Sequence, residues 1–411
     1  NFKFKIDLKE TEPITKLFYP DIKLAPNTSL TGSLNAKEQL IEMHFTSPIL
    51  TIQDKSFEEL KLDLSTDNKE LVIKGRTNNF NFSDQFRLYN LSEKITASNN
   101  NINLDLLWNN WDAVTYSGFV SAKGSVKKSK ESDRPVWNIN LLPSSIIMAD
   151  SIWSIQQSNL IIDSTSFAID NFRISRENQY FGLDGKISSN PADSINFQIQ
   201  NISLKNLNDL TREQNIGIDG TVRGYVQISD FYGDRLSNSN LMLENLVLNN
   251  DTLGNFYLIS DWDKFDKKLS FSSFTDYNTH KEIDLHGSYF PESDSLNMDI
   301  NIDKIRLGLL NPYLQENISN IKGNASGHVH IEGSSSKPKS TGFLKLEDAS
   351  FTINELQTTY SCNDSIKITP TELQFNQFKL IDSDKNSAII YGVISHEQFN
   401  NFNLDLAVNA L

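Results

Sequence analysis

The chain has 411 residues, enough for two or three ordinary domains, and a formal net charge of −14. Because nucleic acids and anionic membrane surfaces are negatively charged, bulk electrostatics argue against both, and we expect no nucleic-acid partner. Hydrophobic residues make up 38% and aromatic residues 10% of the chain, which excludes wholesale disorder.

Alternation of apolar and polar residues starts at the first residues and recurs along the whole chain. A period of two residues is typical of half-buried β-strands, and the Asn, Asp, Gly and Pro clusters between the runs indicate turns. The clearest runs are residues 2–8, 57–64, 195–199, 241–248, 296–302 and 402–406. The sequence therefore predicts an all-β fold built from antiparallel strands.

One short strand pattern occurs five times, and we call the copies marker strands. They are centred on Phe4, Leu104, Phe197, Met298 and Leu404, at intervals of 93 to 106 residues. A longer match relates residues 218–228 to 321–331 at a constant offset of 103. These matches predict a repeat of about 100 residues within one continuous β segment. The predicted units are 1–101, 102–194, 195–295, 296–401 and a partial unit at 402–411.

The repeated glycines are interpreted structurally, because glycine inside a strand marks a bulge or a bend. They are Gly75, Gly185, Gly220, Gly224, Gly287, Gly323, Gly327 and Gly392. Short helices are predicted after the marker strands, at residues 13–18, 204–210 and 307–314. These helices are too short and too few to cover the apolar faces of so many strands.

The apolar faces must therefore meet something else, since exposed apolar surface costs about 25 cal/mol per Å². A sandwich, a closed barrel or an open trough filled by an apolar ligand would each remove the apolar faces from water. The outward residues are expected to be Asn, Asp, Lys and Ser, which is the reverse of a membrane barrel. We predict an elongated, repetitive antiparallel β trough with a few short helices, and a closed sandwich remains the alternative.

The inner wall of such a trough would be lined by the apolar positions of the marker strands. In a closed sandwich the same residues would form an ordinary core. The candidate lining residues are Phe4, Ile6, Leu104, Leu106, Phe197, Ile199, Met298, Ile300, Leu404 and Leu406.

The repeat resembles a known family in residues 321–346, with their spaced glycines Gly323, Gly327, Gly333 and Gly342, and in the preceding stretch 309–314. This run is similar to the repeat signature of the TamB family, the translocation and assembly module proteins of the AsmA-like group. The likeness is closest over residues 294–352 and clear again over 193–250. The second copy has no counterpart of the element around Pro338. The stretch from Pro13 to Gly32 resembles the Bacteroidota versions.

The resemblance implies a taco-shaped β trough in the periplasm of a Gram-negative bacterium. It also implies phospholipid transport between the inner and outer membranes, with acyl chains in the groove, and support of outer-membrane protein assembly. The implied partners are an Omp85-type barrel (TamA- or BamA-like), reached through a missing carboxy-terminal part, and the inner membrane, reached through a missing amino-terminal anchor. The chain is accordingly expected to be a fragment.

No sequence pattern indicates catalysis, a cofactor or a metal site, and we expect the protein not to be an enzyme. His328 and His330 lie on a polar strand face without nearby cysteines, and Ser326 is displaced by one position from a nucleophile-elbow motif. Cys362 is the only cysteine and is expected to be inert. A scaffold or chaperone that presents strand edges to outer-membrane proteins, with a closed core, is the alternative function. A repetitive surface adhesin is a third possibility, but the sequence shows neither calcium-loop motifs nor sugar-binding aromatic clusters.

Overall fold

The computed structural model confirms the predicted all-β, antiparallel and repetitive architecture. Strands account for 75% of the chain and helical residues for 3%. The described residues divide into two compact units, unit 1 (1–196) and unit 2 (197–411). The structure describes residues 1–10, 15, 19, 21–67, 69–83, 87–129, 134–207, 217–233, 236–249, 251–277, 280–398 and 400–410.

Unit 1 is a succession of antiparallel strands connected mostly by short turns. From β3 to β9 each strand pairs with the next one along the chain, while β1 pairs with β3 and β2 with β4. The strands are β1 (Phe2–Leu8), β2 (Ile22–Leu24), β3 (Thr28–Asn35), β4 (Leu40–Ile52), β5 (Lys55–Asp67), β6 (Glu70–Asn81), β7 (Arg87–Ser98), β8 (Asn101–Asn109), β9 (Ser117–Lys128), β10 (Pro135–Leu141), β11 (Ser144–Met148), β12 (Ser151–Ile155), β13 (Ser158–Ile162), β14 (Phe167–Arg176) and β15 (Gln179–Ile187).

Some long strands of unit 1 are interrupted. Both β10 and β11 pair with β9, and both β12 and β13 pair with β14, so that each pair of short strands replaces one long strand. The next strand, β16 (Ser194–Ser203), contains the division between the two units.

Unit 2 repeats the same plan. Each strand from β17 to β24 pairs with the next, and the two short strands β25 and β26 together bridge β24 and β27. The strands are β17 (Ile218–Ser229), β18 (Leu236–Leu248), β19 (Asp251–Asp263), β20 (Lys268–Asp276), β21 (Ile283–Phe290), β22 (Ser295–Arg306), β23 (Ile318–Ser334), β24 (Lys337–Ile353), β25 (Thr358–Cys362), β26 (Ser365–Ile368), β27 (Glu372–Asp382), β28 (Ser387–Glu397) and β29 (Asn400–Ala410).

All five marker strands are strands in the structure, namely β1, β8, β16, β22 and β29. The predicted helix at 307–314 is confirmed as a 3₁₀ turn (Leu307–Leu310) followed by one helical turn, α1 (Asn311–Leu314). The second predicted helix is a 3₁₀ turn at Leu204–Leu207, and its remaining residues lie outside the described part of the chain. Only Thr15 of the predicted helix at 13–18 is described.

Several fully buried apolar side chains lie next to a recurring backbone irregularity. Seven of them directly follow a residue in the left-handed conformation, such as Leu246 after Asn245 (φ 51°) and Phe378 after Gln377 (φ 58°). At Leu246 and Phe378 the strand register shifts, because one residue of the bulged strand has no partner. We call the buried residues the corner residues: Leu60, Leu91, Ile202, Leu246, Ile321, Ala349 and Phe378.

The short helical segments cover part of this corner. Leu204 packs with the corner residue Leu246 and with Leu253, and Leu309 joins the same cluster. Leu307 packs against a second cluster that contains Ala349 and Phe378. The helical segments thus help to bury the corner residues of unit 2.

Two positions inside strands, Gly323 and Gly342, show why glycine is needed there. Gly323 (φ 97°) lies at a register shift in β23, as predicted for a bulge. Gly342 (φ 154°) lies so close to β23 that a Cβ atom there would stand 2.1 Å from the carbonyl oxygen of His328. A side chain at Gly342 would therefore push the two strands apart.

Candidate functional site

Lateral rows of apolar side chains cross the strands of unit 1. Residues directly opposite each other on antiparallel strands point to the same face, so a chain of such pairs defines a row on that face. Row 1A contains Phe4, Gly32, Met43, Leu64, Ile73, Ile95, Leu104, Ala122, Leu141 and Ser158. It crosses ten strands without a charged side chain and includes two candidate lining residues, Phe4 and Leu104.

Two neighbouring rows lie on the same face, because their members are two residues away from those of row 1A on each strand. Row 1B includes the candidate residues Ile6 and Leu106. Its members are Ile6, Leu30, Phe45, Leu62, Gly75, Glu93, Leu106 and Val120. Row 1C, on the other side of row 1A, contains Thr66, Leu71, Ala97, Ile102, Gly124, Ile139, Leu160, Ile169 and Gly185.

Unit 2 has a row of the same kind that crosses twelve strands. Row 2A contains Gly224, Leu241, Leu258, Ser273, Leu285, Ile300, Val329, Gly342, Ile368, Leu373, Ile394 and Leu404. The candidate residues Ile300 and Leu404 are thus brought into one row although 104 positions separate them. Met298 lies in the adjacent row 2B, whose members are Val226, Ser239, Ser260, Phe271, Gly287, Met298, Ile331 and Ser340.

The remaining candidate residues belong to the same pattern. Leu406 is paired through Gly392 with Phe375 and lies two residues from Leu404, hence on the face of row 2A. Phe197 and Ile199 are two residues apart on β16 and share one face of that strand. We call the surface formed by rows 1A, 1B and 1C the apolar face of unit 1, and that formed by rows 2A and 2B the apolar face of unit 2.

The apolar faces are only partly covered. Ser158 is the single fully buried member of row 1A, and Ser273 and Ile368 are the two in row 2A. Among the candidate lining residues, Ile6 is 44%, Phe197 41% and Leu404 64% exposed, and the other seven are half-buried. A closed sandwich core would bury these side chains almost completely.

The opposite face of unit 1 is mostly polar, although the exposed Leu107 and Phe119 pair with each other on it. Moving one residue along each strand from row 1A gives Lys3, Ser33, Glu42, Ser65, Val72, Thr96, Asn103, Lys123, Asn140 and Asn159. The prediction of purely polar outward residues is therefore wrong at Leu107 and Phe119, and it is wrong again in unit 2. There Tyr257 and Phe274 stack with ring centroids 4.5 Å apart, and Met242 and Phe343 point to the same side. Cross-strand aromatic pairing stabilises neighbouring strands, which explains such residues on a hydrated face.

No protein-family model, curated protein or solved structure matches this chain. The family resemblance of the repeat therefore stays an expectation. No helix within the described residues is both long and apolar enough to cross a membrane.

Glu93 is the one functional candidate on the apolar faces that the sequence analysis missed. It is the only ionisable member of the five rows. Its side chain lies over Gly75 on the neighbouring strand, where a Cβ atom would be 2.2 Å from the Glu93 Oε1 atom. Desolvation by the surrounding apolar side chains raises the pKa of Glu93. The signal in the sequence is a carboxylate at an apolar position of the alternation between Leu91 and Ile95.

A cavity of about 920 Å³ opens over row 1C, where three hairpin turns of unit 1 meet one edge of the apolar face. Its apolar lining comes from Leu71, Ala97, Ile102 and Val126, with Leu40 beside them. Its polar lining comes from the turn residues and their neighbours: Glu38, Gln39, Thr66, Lys69, Ser98, Asn99, Asn100 and Asn101. The cavity therefore joins an apolar floor to a rim of amides and charges.

The candidate metal ligands His328 and His330 and the candidate nucleophile Ser326 form hydrogen bonds or ion-pair contacts within the fold. His330 Nδ1 lies 2.9 Å from Asp299 Oδ1, and this hydrogen bond raises the pKa of His330. His328 also contacts Asp299, and no group of three possible metal ligands gathers within the described residues. Ser326 Oγ accepts a hydrogen bond from the Lys304 backbone NH at 3.0 Å. Cys362 is buried, and desolvation raises the pKa of its thiol to about 11, which makes the thiol unreactive at neutral pH.

Proposed function

We propose that this chain binds lipid acyl chains along its apolar faces and carries phospholipids between the inner and outer membranes of a Gram-negative bacterium. The proposal includes a periplasmic location, a contribution to outer-membrane protein assembly and a partnership with an Omp85-type barrel, as the TamB resemblance suggests. It assigns no catalytic step. The periplasm, the membranes and the barrel enter through the resemblance alone.

A single observation carries the lipid part of the proposal. The apolar rows continue across ten strands in unit 1 and twelve in unit 2, yet their side chains stay half-exposed. Monomeric proteins rarely expose contiguous apolar surface on this scale unless a ligand or partner covers it. An acyl chain suits such a surface, because it needs apolar contact along its length and no directional hydrogen bonds.

Site-specific photocrosslinking tests the proposal on neighbouring residues of one strand. Benzoylphenylalanine would replace Leu104, on the apolar face, or Asn103, which points to the polar face. We expect lipid adducts at position 104 when the protein is irradiated with native membranes, and few or none at position 103. Mass spectrometry of the crosslinked protein reads out the adduct at each position.

Two results would contradict the lipid proposal. Equal adducts at positions 103 and 104 would show contact without preference for the apolar face. Protein adducts at position 104 without any lipid adduct would favour the alternative, in which the sheet acts as a chaperone or scaffold for outer-membrane proteins.

A further inference from the structure

The cavity at the turn edge of unit 1 has the composition of a site for an amphiphile. Its floor belongs to row 1C, which crosses β5 to β9 from Thr66 to Gly124. At about 4.8 Å per strand these five strands span roughly 19 Å. One leaflet of a bilayer core is about 15 Å thick, so an extended acyl chain fits along this floor.

The rim adds a cation and several amides along the turn side of that floor. Lys69 lies in the turn between β5 and β6, and Asn99 and Asn100 form the turn between β7 and β8. The second turn is held against β9, because the Val126 NH donates a hydrogen bond of 2.9 Å to the Asn100 carbonyl. The donors of the rim therefore stand on a fixed part of the sheet.

The rim contains one cation, Lys69, and one carboxylate, Glu38. Within the described part of the chain, Lys69 has no ion-pair partner. Glu38, the one carboxylate of the lining, already accepts a hydrogen bond of 2.7 Å from the Asn35 amide. Lys69 is exposed, and phosphate oxygens accept hydrogen bonds from both amines and amides.

We propose that this cavity binds the phosphate-bearing headgroup of a lipid, with the phosphate at Lys69 and the Asn99–Asn100 turn and an acyl chain along row 1C. The inference rests on the proposed function, since it names the headgroup chemistry of the lipid that the apolar face would carry. The net charge of −14 repels anions in general, so a preference for phosphate has to come from local contacts.

Asn99 and Asn100 could be present for the conformation of the turn alone, and the test must distinguish this role from binding of the phosphate. Both have positive φ angles, 48° and 63°, and asparagine is common in such two-residue turns for backbone reasons alone. Asn100→Gly keeps the turn conformation and removes the amide. A loss of phosphate preference in this variant would therefore reflect the side chain and not the turn.

The experiment compares two fluorescent probes with the same acyl chains, phosphatidic acid and diacylglycerol, which differ only in the phosphate. We expect the chain to bind the phosphatidic acid probe roughly fivefold more tightly. Lys69→Gln should abolish most of this preference, and Asn100→Gly should reduce it. Lys74→Gln is the matched control, because Lys74 lies on β6, directly after the turn that holds Lys69, but points to the polar face.

Cysteine protection locates the bound probe. Ala97→Cys introduces a thiol in the floor of the cavity, and the native thiol of Cys362 is buried and has a pKa of about 11. A maleimide should therefore label position 97 alone, and bound phosphatidic acid should slow this labelling. Unchanged labelling in the presence of bound probe would overturn the assignment to this cavity.

The remaining outcomes test lipid binding and the headgroup site separately. If neither probe binds, the proposed function itself fails. If both bind equally, or if Lys69→Gln behaves like Lys74→Gln, the headgroup site is wrong while lipid binding stands. If inorganic phosphate protects position 97 as well as the lipid probe does, the site recognises a free anion and the lipid assignment is overturned.

Discussion

At the scale of single residues, Glu93 is the main exception to the chemistry of the apolar faces. A carboxylate that loses water without gaining a cation is destabilised in its charged form. The Glu93 pKa is accordingly raised above the ordinary value of 4.5 by desolvation. The folded state therefore binds a proton more tightly at Glu93 than the unfolded state does.

The sign of the pH dependence follows from this difference. As the pH rises from 4.5 towards the higher folded-state pKa, the folded protein holds the proton that the unfolded chain has already released, so the free energy of unfolding falls. We predict that Glu93→Gln removes this loss and raises the free energy of unfolding at pH 7 by about 1 kcal/mol. Urea unfolding at pH 4 and pH 7 measures the effect.

A matched substitution on the polar face serves as the control. Glu42 is exposed, and Glu42→Gln makes the same chemical change away from the apolar rows. It should alter stability by less than about 0.5 kcal/mol at either pH. Equal effects of the two variants would indicate that Glu93 is not desolvated.

Residue positions on the apolar faces were largely predictable from the sequence. Alternation identifies the face of each residue, and the structure brings Phe4 with Leu104, and Ile300 with Leu404, into common rows. Which residues of different strands become neighbours was not predictable, because register depends on turn lengths and bulges along the intervening chain. Whether the candidate residues contact acyl chains stays a prediction.

At the scale of elements, a bulge recurs in several strands and changes which residues face the apolar side. In β18 the apolar face takes the odd positions Leu241 and Leu243 and then the even position Leu246, so the alternation shifts phase at Asn245. The same shift occurs in β27 between Phe375 and Phe378. This phase shift was available in the sequence as the signal for a bulge, whereas the burial of the residue that follows it depends on how neighbouring strands pack.

Substitution of Asn245 tests the role of its left-handed backbone. Asn245 is exposed and has a φ of 51°, a conformation that asparagine tolerates and a β-branched residue does not. We predict that Asn245→Val lowers the free energy of unfolding by about 1–2 kcal/mol. Asn245→Gly should be neutral or stabilising. Urea unfolding of the chain, followed by circular dichroism, measures both.

Asn240→Val is the control for the change of side chain. Asn240 is exposed on the same strand within a regular part of the ladder, where β-branched residues are favoured. It should therefore leave stability unchanged or raise it slightly. If Asn240→Val and Asn245→Val were equally destabilising, the bulge conformation would not explain the loss at position 245.

At the scale of the whole molecule, the rows distinguish the two architectures that the sequence left open. Both a trough and a sandwich use alternating strands and the same repeat, so no pattern of residues separates them. The exposure of the row members does, because most members of rows 1A and 2A stay half-exposed, while the seven corner residues are fully buried. An aspartate should consequently be tolerated on an apolar face and not in the corner.

Three aspartate variants of unit 2 test this difference. Met298→Asp adds a charge to row 2B, Leu246→Asp adds one to the corner, and Asn297→Asp adds one to the polar face next to Met298. We expect Met298→Asp to cost about 1–2 kcal/mol of unfolding free energy, because water can reach a half-exposed carboxylate. Leu246→Asp should cost at least about 3–5 kcal/mol, and Asn297→Asp less than about 1 kcal/mol, which is the repulsion from Glu332 opposite it. If Met298→Asp unfolded the protein as readily as Leu246→Asp, the apolar face would be a closed core, and a surface on which acyl chains could lie would be excluded.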